Sequence, residues 1–135
     1  MSAQERILII DDNEITCEIY RQMLIVEGYE VRTAMNVEAG LREAASETPA
    51  AVLLDLHLPL SGGLEYLHRL RAESRGAAIP VAIVTGDYFI EPELAGQLNA
   101  LGARIHFKPI WQEDLLRIVR ELISSAIPSG SEPLR

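Results

Sequence analysis

Arg6-Ile7-Leu8-Ile9-Ile10-Asp11-Asp12-Asn13 passes in one step from an unbroken apolar run to two acids and an amide. A run this short without polar alternation reads as a strand buried on both faces, the pattern of a central strand in a parallel sheet. The same grammar returns three times: Ala51 to Leu54 ends in Asp55, Val81 to Val84 ends in Thr85, and Ile105 to Phe107 ends in Lys108. Parallel strands deliver their carboxyl ends to one edge, and open α/β folds bind ligands there. Asp11, Asp12, Asp55, Thr85 and Lys108 are therefore expected together at that edge.

The segments between these runs supply the crossovers. Ile15, Ile19, Met23 and Val26 recur at helical spacing up to Gly28, a helix stop, and Tyr29 to Ala34 alternates as a further strand. Asn36 can cap a helix through Val37, Leu41 and Ala44 to about Glu47, with Pro49 closing it. After Asp55 the loop through Pro59 and Gly63 marks a turn, and Leu64, Leu67, Leu70 and the stem of Arg71 form the next buried stripe. Ile79 to Val84 reads as a strand with Pro80 at its start. Leu94, Leu98 and Leu101 give a helix ended by Gly102, and Arg104 to Phe107 a last strand. Trp111 to Ile123 gives a final amphipathic helix with Leu115, Ile118, Val119 and Leu122 inward. Five alternations of strand and helix predict an α/β fold, a doubly wound parallel sheet between two helical layers. Periodicity alone does not order the strands.

At 135 residues the chain fits one domain, placed at residues 5–125, with 126–135 as a linker-like tail. A net charge of −8 argues against direct nucleic-acid binding by this segment, which would need a basic stripe. Cys17 is the only cysteine, so neither an internal disulfide nor a cysteine-based metal cluster can form. No stretch is long and apolar enough for a membrane span, and Met1 to Arg6 runs directly into the first strand. The expectation is a cytoplasmic protein without a membrane partner.

The ordered set Asp11-Asp12, Asp55, Thr85 and Lys108-Pro109, with the Asp55 to Gly63 loop, resembles the receiver domain of two-component response regulators. The resemblance covers about residues 5–125. It implies the flavodoxin-like strand order 2-1-3-4-5, in which the strands ending in Asp12, Asp55, Thr85 and Lys108 are consecutive neighbours. Three carboxylates so gathered repel, by about 3 kcal/mol per pair at ~5 Å and an effective dielectric of ~20. A helix cap would explain one of Asp11 and Asp12 and leave the other without a role.

The resemblance supplies the missing cation, Mg²⁺ (or Mn²⁺), with Asp12 and Asp55 as direct ligands, Asp11 acting through water and the backbone carbonyl of His57 completing the set. It makes Asp55 the nucleophile for a phosphoryl group from a sensor histidine kinase or phosphotransfer protein, with Lys108 and Thr85 contacting the phosphoryl oxygens. It also implies a cis Lys108-Pro109 bond, a downstream protein or output domain, and a homodimer through the face of the last strand and its flanking helices.

Receivers carry an aromatic three residues before the lysine, where this chain has Ile105. Phe107, on the same strand face by the two-residue period, is the alternative relay. His57, two residues after Asp55, and Asp87, two after Thr85, are expected to border the phosphoryl pocket from its two sides and tune the lifetime of the group. His68 and His106 are expected at the surface, their spacing with His57 matching no zinc pattern.

Three other functions are set against this one. A haloacid-dehalogenase-like phosphatase would want an aspartate two residues after the nucleophile, where His57 stands. A flavin or nucleotide binder would want a glycine loop where Asp11-Asp12-Asn13 stands. A phosphorylation-independent interaction domain would use the same fold without the chemistry.

Overall fold

The computed structural model describes residues 4–59, 62–87 and 89–125. The tail assigned to residues 126–135 lies outside the described residues. Five strands, β1 (Arg6–Ile10), β2 (Glu30–Ala34), β3 (Ala51–Leu54), β4 (Val81–Thr85) and β5 (Ala103–Phe107), alternate with five helices. These are α1 (Glu14–Val26), α2 (Val37–Ser46), α3 (Gly62–Ala72), α4 (Pro92–Ala100) and α5 (Gln112–Ser125), with a 3₁₀ turn at Gly76–Ala78 before β4. All strand pairs are parallel, in the order β2-β1-β3-β4-β5.

Burial explains the strand compositions. β3 and β4 lie inside the sheet and are buried at every position, as is β1 beyond Arg6, whereas the edge strands carry Glu30 and Arg32 or Arg104. Successive side chains point to opposite faces, so the apolar runs feed two cores. Leu8, Ile10, Val52, Leu54 and Ile83 pack with Tyr66, Leu67 and Leu98 on the α2, α3 and α4 side. Ile7, Ile9, Leu53, Ala82 and Val84 pack with Leu24, Leu115 and Val119 under α1 and α5. Side chains of Asn13 and Asn36 cap α1 and α2 through the amides of Thr16 and Ala39. Among the described residues no helix is long and apolar enough to cross a membrane.

The structure revises several expectations. The buried face of α1 is Cys17, Tyr20 and Leu24, while Ile15, Ile19 and Val26 are exposed and Met23 is half-buried. Both series satisfy a helical period, and the docking of α1 against the sheet and α5 selects between them. β4 begins at Val81, because residues 76–78 turn as a 3₁₀ helix and Pro80 offers no amide for the ladder. α5 begins at Gln112, leaving Trp111 exposed before it.

Candidate functional site: an acidic cluster at the carboxyl edge of the sheet

β1 and β3 are neighbours in register, Ile10 beside Leu54, so the residues that follow them leave the sheet side by side. The Asp55 amide donates to the Ile10 carbonyl at 2.8 Å, and the Asp11 amide to the Ala34 carbonyl at 3.0 Å. The result is a cluster in which carboxylate oxygens of Asp11, Asp12 and Asp55 all lie within 4.8 Å of one another. Asp11 and Asp55 are buried, at 3% and 8% exposure, and Asp12 faces solvent. Oxygen donors of this kind suit a hard divalent cation, and the charge crowding favours one.

One positive group answers them. Lys108 Nζ donates to Asp11 Oδ2 at 2.9 Å, while its own amide donates to the Thr85 carbonyl at 2.7 Å. Lys108 is the only lysine in the chain, the other permanently charged basic side chains being arginine. That singularity is a sequence signal separate from the motif. Burial pulls the Lys108 ammonium down, but the hydrogen bond and charge of Asp11, then the charge of Asp55, outweigh it and hold its pKa above the usual lysine value. Burial and the charge of Asp11 push the Asp55 pKa above the ordinary carboxylate value, with Lys108 opposing.

Thr85 is fully buried at the end of β4, and its Oγ1 accepts from the Asp87 amide at 3.1 Å. The Asp55 carboxylate accepts from the His57 amide at 3.4 Å, a long contact. The His57 ring meets Asp87 Oδ2 at 3.0 Å, bringing together two residues that follow neighbouring strands. Gly63 has a close-approach reason: a Cβ there would stand 2.7 Å from the Asp55 carbonyl oxygen and 3.0 Å from Leu56 Cα. The first turn of α3 thus rests directly on the backbone that carries Asp55.

Phe107 is the register partner of Thr85, whereas Ile105 pairs with Ile83 one level deeper and packs against the α3 and α4 core. The Lys108-Pro109 peptide is cis. His68 is exposed, but His106 is half-buried, and burial followed by the charge of Arg117 lowers its pKa, so the expected surface position is corrected. Two neighbours of the cluster were not singled out for it from sequence. Cys17 Sγ donates to the Asp11 carbonyl at 3.3 Å, its thiol pushed up to about 11 by burial, which disfavours the thiolate. Tyr20 lines a cleft beside Lys108.

An open parallel sheet thus gathers an acidic cluster that could hold a metal ion, a threonine and a lysine at its carboxyl edge. Residues 7–120 match the response regulator receiver domain, and the chain belongs to that family of two-component signalling proteins. It is 32% identical over 130 residues to the probable transcriptional regulatory protein TcrX of Mycobacterium tuberculosis, covering 93% of this chain and 54% of that protein. It is 34% identical to the response regulator MprA of Mycolicibacterium vanbaalenii, over 91% of this chain and 52% of that protein. The chain thus spans about half the length of the curated relatives it matches. The CheY-like receiver domain protein of Methanospirillum hungatei superposes with a TM-score of 0.84 at 29% identity, covering 92% of this chain and 97% of that one. Chemotaxis protein CheY4 of Vibrio cholerae gives 0.82 at 26% identity, over 89% and 99% of the two chains.

Proposed function

We propose that this chain is the phosphoacceptor of a two-component pathway, taking a phosphoryl group on Asp55 from a phosphohistidine of a sensor kinase or phosphotransfer protein. The observation that carries this reading is the placement of three carboxylates within 4.8 Å of one another, with the only lysine of the chain beside them. Asp12 and Asp55 would hold Mg²⁺ directly, with Asp11 through water and the His57 carbonyl. A bound Mg²⁺ would supply positive charge to the acids and to one phosphoryl oxygen.

The chain's own groups do the rest. A carboxylate oxygen of Asp55 attacks phosphorus, the P–N bond breaks, and the donor imidazole leaves with the bonding pair. Lys108, turning from Asp11, neutralises a second oxygen as a mobile point charge. Thr85 Oγ1 already accepts from the Asp87 amide, so its own proton is available for a third oxygen. The His57–Asp87 contact borders the pocket and would govern the approach of the water that later removes the group. Phe107, level with Thr85, is the residue we assign to the relay that Ile105 cannot perform. The added charge would then shift the surface offered to a downstream protein or output domain.

Incubation with acetyl phosphate and Mg²⁺, followed by intact mass, tests the proposal. One added phosphoryl group, absent in Asp55→Asn, is expected. No gain, or an equal gain in the variant, would overturn it.

A further inference from the structure

Tyr20 lies in the inward face of α1, 6% exposed, between the apolar neighbours Cys17 and Leu24. A leucine would serve packing equally, so the hydroxyl calls for a reason of its own. Among the described residues nothing hydrogen-bonds that hydroxyl, nor is it among the buried polar atoms left without a partner. Tyr20 lines a cleft of about 430 Å³ with Met23, Gly86, Lys108, Pro109 and Trp111. Tyr20 and Lys108 also lie within electrostatic reach of each other.

A lysine ammonium has three donors, and Lys108 spends one on Asp11. When it turns toward a phosphoryl group on Asp55, that anchor weakens and a flexible four-carbon stem is free to swing into the cleft. Resting on the receiver reading, we propose that Tyr20 is a positioning residue for Lys108. Its ring shields the ammonium from bulk water, and its hydroxyl oxygen accepts the hydrogen bond that keeps the ammonium over the pocket.

Tyr20→Phe keeps the ring and removes the acceptor. With saturating Mg²⁺, its initial rate of phosphorylation by acetyl phosphate should fall about three- to tenfold, with the melting temperature and Mg²⁺ affinity unchanged. A merely structural role would lower the melting temperature and leave the rate alone. Because the chain has one lysine, protein labelled with [15N]lysine carries one side-chain ammonium to follow. In the wild-type Mg²⁺–fluoroberyllate form, nuclear Overhauser contacts between the Tyr20 ring and the Lys108 ε-methylene are expected, and their absence would overturn the proposal whatever the variant does. If wild type takes no phosphoryl group, this proposal and the receiver reading fail together. If wild type is phosphorylated and Tyr20→Phe reacts as fast, only the role of Tyr20 fails.

Discussion

Replacing Asp55 with asparagine should make the metal-free protein more stable, although it removes the proposed nucleophile. Asp55 is 8% exposed, and its carboxylate lies within 4.8 Å of those of Asp11 and Asp12. At that separation and an effective dielectric of ~20, one such pair repels by about 3 kcal/mol. Lys108, bonded to Asp11 and within reach of Asp55, takes back part of this. A net gain of about 1 to 2 kcal/mol at neutral pH remains. For a domain of this size it raises the melting temperature by about 3 to 8 °C.

The pH dependence follows from the raised Asp55 pKa, which means that folding favours the protonated carboxyl. Its contribution is full below the unfolded pKa and is lost as pH rises through the folded one, leaving a cost at neutral pH. Melting curves by circular dichroism in the presence of a chelator should therefore separate the two proteins near neutrality and converge toward about pH 4. A variant that melts at or below the wild type at neutral pH would refute the charge crowding inferred for this edge.

Gly63→Ala should cost about 1 to 3 kcal/mol, since a Cβ there meets the Asp55 carbonyl oxygen at 2.7 Å, and an unchanged urea midpoint would contradict that contact. Exchanging His57 and Asp87 together for alanine should change the lifetime of the phosphoryl group on Asp55 several-fold; an unaltered half-life removes both from the chemistry. Fluoroberyllate should shift the ring resonances of Phe107 in the wild type but not in Thr85→Ala, and equal shifts in both would mean that the relay bypasses Thr85.

The site was more legible in the sequence than the helices around it, for a physical reason. A strand buried on both faces takes few polar residues, so β3 and the start of the acidic edge stand out letter by letter, and β1 ends where Asp11 begins. The meeting of His57 with Asp87 joins the two loops that leave the adjacent strands β3 and β4, two residues after Asp55 and Thr85, whereas the sequence alone set them on opposite sides of the pocket. α1 was not legible in the same way: it carries two apolar stripes, and only packing against α5 and the sheet decides that Tyr20 and Leu24 go inward while Ile15 and Val26 stay out. Arg71 shows the same limit. Its stem was expected to pack, but its guanidinium donates to the carbonyls of Gly76 and Ile79 around the 3₁₀ turn and of Leu101 at the end of α4, two segments that no local pattern announces.

The central claim is that the acidic edge is held for a divalent ion. Calorimetric titration with Mg²⁺ tests it most directly, on wild type and on Asp12→Asn, which alters the exposed member of the cluster without disturbing the core. Saturable uptake of one ion by the wild type, sharply weakened in the variant, is the predicted result. No uptake, or uptake indifferent to Asp12, would contradict the account.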